Sequence, residues 1–220
     1  MTPRFQAVLF DVDGTLLDST QFVLGAMERA LALHGLPVPG RARLAAIIGP
    51  PLTECYRELA PAADAASLCA AHRAWQREQL YLIHPFPNTL ATLETLRLAQ
   101  VRLAAVTARS KVSSLSSLEQ AGLAGLLEFT ISAEDAPRTK PHPDPVLLAL
   151  ERLGVGACDA VMVGDTASDI QAGQAAGVKT IGARYGFASA SLATVQPDWV
   201  IDDISQVVTI VLGPTRYGGC

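Results

Sequence analysis

Phe10-Asp11-Val12-Asp13-Gly14-Thr15 closes the first apolar run of the chain. The residues before it, Phe5 to Phe10, read as a short buried strand: apolar, with β-branched Val8, and stopped by acid and glycine. In a parallel sheet such a strand delivers two carboxylates to its carboxyl end, the edge where open α/β sheets bind ligands. Acids at i and i+2 crowd negative charge into a small volume, which is costly unless a cation shares it. Hard carboxylate oxygens suit Mg²⁺, and Mg²⁺ in turn suits a phosphate. The same stretch also reads as a strand ending in an ordinary polar turn, because Asp and Gly are common turn residues. The rest of the chain has to decide between the two.

Downstream the pattern turns helical. Asp18-Ser19-Thr20-Gln21 has the spacing of a capping box from Asp18 to Gln21, ahead of a helix to about Leu33 that His34-Gly35-Leu36-Pro37 ends. Further helical segments are expected over 41–48, 52–59 and 64–82, with Gly49-Pro50-Pro51 as a stiff loop between the first two. No strand is expected from Leu17 to Ile83. An all-helical block directly after the first strand reads as an insertion, and His84-Pro85-Phe86-Pro87 closes it, since alternating prolines exclude a helix. From Asn88 strands alternate with helices. Strands are expected over 102–107, 129–132, 160–164, 178–182 and 199–201, which implies an α/β fold with a doubly wound parallel sheet. The tail from Gly213 to Cys220 is expected to fray.

More polar chemistry sits where these strands run out. Thr107 ends one strand, Lys140 stands in Thr139-Lys140-Pro141-His142-Pro143 ahead of a helix, and Gly164-Asp165-Thr166-Ala167-Ser168-Asp169 follows another strand. Asp165 and Asp169 are spaced i,i+4 and can face one way. Taken singly, each has an ordinary reading as a helix cap, a helix-dipole residue or a solvated lysine. Lysine is scarce, however, with only Lys111, Lys140 and Lys179 in the chain, so Lys140 belongs to no generic basic face. Polar residues at successive strand ends can all converge on one crevice.

Composition narrows the partners. Half of the 220 residues are apolar and the net charge is −4, with no basic patch, which disfavours nucleic acid and anionic membranes. No apolar run has transmembrane length, and acids arrive too early, at Asp11, for a signal peptide, so a cytoplasmic location is expected. Cys55, Cys69, Cys158 and Cys220 show no C-x-x-C spacing and read as structural thiols.

This order of motifs resembles the haloacid dehalogenase superfamily over nearly the whole chain. Asp11-Val12-Asp13-Gly14-Thr15 looks like its first motif, Thr107 its second, Lys140 its third and Gly164 to Asp169 its fourth. The likeness is greatest to the phosphoglycolate phosphatase-like and pyrophosphatase-like branch, through Lys140 to Pro145, Gly164 to Gly177 and Pro197 to Asp202. The resemblance implies a Rossmann-like core over 1–16 and 86–213 with an inserted all-helical cap domain over 17–85. It implies a Mg²⁺-dependent phosphatase acting on a small phosphate monoester through an aspartyl-phosphate. Asp11 is then the nucleophile and Asp13 the acid and base. Thr107 and Ala108 contact the phosphoryl group, Lys140 balances its charge, and Asp11, Asp13 (through its backbone carbonyl) and Asp165 hold Mg²⁺, with Asp169 in support. The hinges fall at 16–18 and 83–87, and Gly49-Pro50-Pro51 reaches the site. Arg57, Arg73, Arg77 and Arg109 are candidates to meet a second substrate charge, although each also reads as a surface residue.

Asp13 argues against a dehalogenase, whose leaving group needs no proton, and the lack of any lysine before Lys111 argues against a cap Schiff base. An inorganic pyrophosphatase and a β-phosphoglucomutase-like mutase remain as alternatives. A non-catalytic binding module is the rival from another class, disfavoured by the intact set of acids and lysine. The chain departs from the family pattern at Ala108, where Asn or Ser is common, and at Asn88 and Gln100, where glycine is common. The expected partner is a small-molecule phosphate, with the protein a monomer or homodimer.

Overall fold

The computed structural model describes residues 3–213. Its strands are β1 (Ala7–Phe10), β2 (Leu17–Asp18), β3 (His84–Pro85), β4 (Arg102–Val106), β5 (Thr130–Ile131), β6 (Ala160–Gly164), β7 (Lys179–Ala183) and β8 (Trp199–Ile201). The helices are α1 (Thr20–Leu33), α2 (Arg41–Ala45), α3 (Leu52–Leu59), α4 (Ala65–Glu78), α5 (Thr89–Leu98), α6 (Lys111–Gln120), α7 (Asp144–Leu153), α8 (Ala167–Ala175) and α9 (Gln206–Leu212), with single 3₁₀ turns between some of them.

Six strands form one parallel sheet in the order β5-β4-β1-β6-β7-β8, with β1 central and all four of its residues buried. Leu9 sits in register between Ala104 and Met162. The period of two along each strand sends alternate side chains to opposite layers. Val8, Phe10, Ala105 and Val163 pack on one side with Leu93, Leu118, Val207 and Val211 from α5, α6 and α9. Ala7, Leu9, Val106 and Met162 pack on the other with Val146, Leu150 and Ala172 from α7 and α8. The result is a doubly wound α/β sandwich, and each leucine or phenylalanine it encloses contributes about 1.5–3 kcal/mol. The carboxyl ends of β1, β4 and β6 share one edge, because the strands are parallel and in register.

Residues 20–78 hold a core of their own. Leu24, Met27 and Leu31 of α1 pack with Leu44, Tyr56, Leu68 and Cys69 from α2 to α4. Gly25 lets the indole of Trp75 seat on α1, where a Cβ would stand 2.9 Å from the ring. No helix among the described residues is long and apolar enough to cross a membrane.

Several expectations are corrected. Leu17 and Asp18 do form a strand, paired antiparallel with Pro85 and His84. That pairing also removes the capping box. Asp18 is committed to the extended pair, Ser19 becomes the N-cap without a side-chain bond, and Asp18 Oδ1 accepts from Thr20 N at 3.2 Å instead. Gln21 turns outward to accept from Arg41 at 2.8 Å. Asn88 and Gln100, where relatives often have glycine, both take positive φ, 67° and 62°. Asn88 offsets its cost by donating to Asp203 at 3.0 Å; Gln100 has no such long-range partner among the described residues. Cys55 and Cys69 are buried free thiols as expected, but Cys158 is disulfide-bonded. The expected fraying beyond Gly213 falls outside the described residues.

Candidate active site

The strand ends bring the sequence-predicted residues together. Asp11 follows β1 directly and is still tied to the sheet, its N–H donating to Val163 at 2.8 Å. Thr107 follows β4 and donates its N–H to Ile131 at 2.9 Å. Its Oγ1 accepts from Arg109 N at 3.2 Å, so the hydroxyl proton is left to point elsewhere. Asp165 follows β6 and is fully buried. Thr166 caps α8 in a complete capping box, with Asp169 Oδ2 accepting from Thr166 N at 3.0 Å and from Thr166 Oγ1 at 2.7 Å. Asp169 is thereby held rigid by the helix start that carries it.

Lys140 reaches in from the loop before α7 and is 4% exposed. Its Nζ donates to Asp11 Oδ1 at 2.6 Å and to Val106 O at 2.8 Å, and pairs with Asp169 Oδ1 at 2.6 Å. One oxygen from each of Asp11, Asp165 and Asp169 lies within 4.8 Å of the others. One ammonium cannot neutralise three buried carboxylates. Burial, opposed by Lys140 and aided by Asp169, raises the Asp11 carboxyl above its usual range. Burial and the charges of Asp11 and Asp169 likewise raise Asp165 well above the usual carboxylate range. Burial alone would lower Lys140, but its carboxylate neighbours outweigh that and keep it protonated.

Asp165 Oδ2 accepts from Ala188 N at 3.1 Å, while its Oδ1 is enclosed without any partner. Such an orphaned oxygen costs free energy unless a donor or cation meets it. The approach to Asp165 is kept bare of side chains: a Cβ at Gly14 (φ 80°) or at Gly186 would collide with its carboxylate. The donor set is all oxygen, anionic and in excess of local positive charge, which fits a hard divalent cation.

Asp13 takes no part in the carboxylate cluster. Arg109 Nη1 pairs with its Oδ1 at 3.1 Å, and Arg109 is itself held by Ser113 Oγ at 2.5 Å and lies over the Phe22 ring. Arg109 is therefore not a surface residue, whereas Arg57 and Arg77 are exposed and off the site.

A cavity of about 240 Å³ lies between sheet edge and helical block. Asp11, Asp13, Thr107, Ala108, Lys140 and Asp169 line its floor, and Asp165 lies just beneath. Met27, Gly49, Pro50, Pro51 and Leu52 line the opposite wall, with Gly49 close enough to the core that a Cβ would be 2.7 Å from Ser168 Oγ. His72, Arg73 and Gln76 of α4 also face it. Sequence reading picked out none of His72, Gln76 and Gly186. The only available signal was the i,i+4 spacing of the first two on an otherwise apolar face.

His72 accepts or donates at Nδ1 to the buried Tyr56 hydroxyl at 2.9 Å. Burial, then the charges of Arg109 and Arg73, push its pKa down to about 3. An unfolded histidine titrates near 6.5. Between these values the unfolded chain binds the extra proton, so stability is full above pH 6.5 and falls as pH drops toward 3. The slope reaches about 1.4 kcal/mol per pH unit. Urea unfolding at pH 7.5 and 5.0 should therefore show a loss about 2 kcal/mol larger in the wild-type protein than in His72→Leu. Equal losses in both proteins would mean that His72 is protonated in the fold.

Together the parallel sheet, the acid pair after its central strand, the buried lysine and the inserted helical block define a hydrolase of phosphoryl-transfer type. A sequence model of the haloacid dehalogenase-like hydrolases matches residues 8–183. Pyrophosphatase PpaX of Bacillus velezensis is 31% identical over 94% of this chain and 96% of its own length. The plasmid-borne phosphoglycolate phosphatase of Cupriavidus necator is 33% identical over 96% of this chain and 94% of its own. Among solved structures, a predicted phosphoglycolate phosphatase from Haemophilus somnus superposes with a TM-score of 0.86 at 25% identity, over 94% of this chain and 98% of that one. The chain belongs to the haloacid dehalogenase-like hydrolase family, and within it to the phosphatases.

Proposed function

We propose that this protein is a cytoplasmic, Mg²⁺-dependent phosphatase that hydrolyses a small phosphoglycolate-like monoester through a phosphorylated Asp11. The observation that carries the reading is the buried Lys140, which lies 2.6 Å from both Asp11 and Asp169 at the edge of the central strand. Lys140 occupies Asp11 Oδ1. Asp11 Oδ2, which makes no hydrogen bond among the described residues, is the attacking atom: it bonds to phosphorus as the bond to the leaving oxygen breaks. Asp13, steadied by Arg109, gives its proton to that oxygen. It then takes a proton from the water that attacks phospho-Asp11, which releases phosphate and restores the carboxylate. The Thr107 hydroxyl, Lys140 and the N–H groups of Val12 and Ala108 hold the phosphoryl oxygens; these two N–H groups make no hydrogen bond among the described residues.

Asp11, Asp165 and the carbonyl of Asp13 would hold Mg²⁺, with Asp169 behind them; the unpartnered Asp165 Oδ1 supports this assignment. The ion supplies the positive charge that lets a carboxylate approach a phosphate dianion. The helical block over 17–85 acts as a cap that excludes water, hinged where β2 pairs with β3. Pyrophosphate is the second reading, favoured by the PpaX relatives.

Phosphate release from 2-phosphoglycolate, pyrophosphate and a panel of sugar phosphates, with Mg²⁺ and with EDTA, tests the proposal. One monoester hydrolysed far faster than the rest, and only with Mg²⁺, is expected. Silence across the panel, or rates indifferent to EDTA, would overturn it.

A further inference from the structure

His72 and Gln76 lie one turn apart on α4 and both line the cavity above the phosphoryl site. They are among its most enclosed polar side chains, at 3% and 8% exposure. Neither has a full set of partners. His72 bonds only through Nδ1, to Tyr56, and the Gln76 amide makes no hydrogen bond among the described residues. Neither His72 Nε2 nor the Gln76 amide is among the sealed orphan atoms, and both residues line the cavity.

The proton on His72 can be placed. Tyr56 is completely buried and its hydroxyl bonds only to His72 Nδ1. If Nδ1 were the donor, the tyrosine proton would be buried without an acceptor, at a cost of about 1–3 kcal/mol. Tyr56 therefore donates to Nδ1, and the proton of the neutral imidazole sits on Nε2, facing the cavity. Burial and the nearby guanidinium groups of Arg109 and Arg73 keep the ring neutral. The wall thus offers an imidazole N–H and an amide NH₂ beside the guanidinium of Arg73, with no carboxylate on α4's cavity face.

We propose that His72 and Gln76 form a leaving-group subsite that binds a second oxyanion of the substrate, with Tyr56 as the positioning residue that fixes the histidine tautomer. The inference rests on the phosphatase reading and deepens it. The oxyanion is a carboxylate or a second phosphate, since both present the acceptor oxygens this wall lacks.

The test compares wild-type, Gln76→Leu and Tyr56→Phe proteins on 2-phosphoglycolate, pyrophosphate and ethyl phosphate, which has no second oxyanion. With the better of the first two, Gln76→Leu should lower kcat/KM roughly 10- to 100-fold, chiefly through KM, as expected for a lost hydrogen bond to a charged group. Ethyl phosphate should change less than about twofold. Tyr56→Phe should show the same selective loss, although Tyr56 does not line the cavity. Which oxyanion substrate suffers more identifies the natural source. Equal losses on ethyl phosphate, or none on either oxyanion substrate, would overturn the subsite while leaving the phosphatase reading intact. If the wild-type protein hydrolyses none of the three, the phosphoglycolate-like reading of its substrate fails. Calorimetric titration of the inactive Asp11→Asn protein with 2-phosphoglycolate, against the same protein carrying Gln76→Leu, then decides the subsite separately. Unchanged affinity would refute it.

Discussion

Asp11→Asn is expected to release no phosphate from any ester that the wild-type protein turns over, a fall of roughly 10⁴-fold or more. The asparagine amide keeps the shape but cannot form the acyl phosphate bond, so no residual route through the same intermediate remains. The loss should come without unfolding. Asp11 lies buried among Asp169, Asp165 and Lys140, with its carboxyl pushed above the usual range by burial. Making it neutral relieves repulsion between carboxylates, and Lys140 keeps Asp169 as partner. In EDTA the variant should therefore melt at or above the wild-type midpoint. Asp13→Asn should also abolish turnover while folding normally, because the leaving oxygen loses its proton donor. Near-normal rates in Asp11→Asn would rule out the covalent route, whereas a melted Asp11→Asn would show that the carboxylate also holds the fold.

Lys140→Met carries the second large effect, and it acts on stability as well as rate. Lys140 is, among the described residues, the one buried cation beside three carboxylates. Removing one partner from a buried ionic cluster costs about 3–5 kcal/mol, because the remaining charges stay desolvated and unpaired. That is a large share of the roughly 5–15 kcal/mol that holds a typical domain. In EDTA the variant should unfold at a much lower urea concentration. Millimolar Mg²⁺ should restore part of the difference, since a bound cation stabilises the folded state by mass action. Lys140→Arg should not rescue it, because a planar guanidinium cannot fill the three short contacts that one ammonium makes. Equal midpoints for wild type and Lys140→Met in EDTA would mean that the carboxylates are already protonated and need no counter-charge.

What could be read in advance follows the physics of each feature. β1 and β6 were legible because buried strands are short apolar runs bounded by acid and glycine, and β8 was legible as an apolar triplet between Asp198 and Asp202. α3 was legible from end to end, between a proline pair and a break at Ala60. Asp11 and Asp165 were legible as acids directly after apolar strands, and Lys140 because lysine is scarce in this chain. β2 and β3 were not, because a two-residue strand has no periodicity and exists only through its partner. Asp18 misled for the same reason: its spacing suits a cap, and long-range pairing overrides it. α9 was overlooked, a short helix with no side-chain cap to mark its start. Arg109 on Asp13, and Tyr56 on His72, are contacts between residues far apart in the chain. Nothing local distinguishes these residues from ordinary surface arginines or core aromatics. Gly186 stands next to Asp165 only once β7 has returned beside β6.

The short ladder between Leu17–Asp18 and His84–Pro85 has a bearing on how this chain could be remodelled. Residues 19–83 leave and re-enter the core through this separate two-stranded sheet at one register pair, Asp18 opposite His84, only about 5 Å apart. A tight two-residue turn spans that gap without moving either strand. The site is thus a ready-made graft port: foreign helical pairs whose ends lie equally close could be spliced there, provided they return an aromatic ring where Phe22 lies over Arg109 and fill the core positions of Phe22 and Ile83.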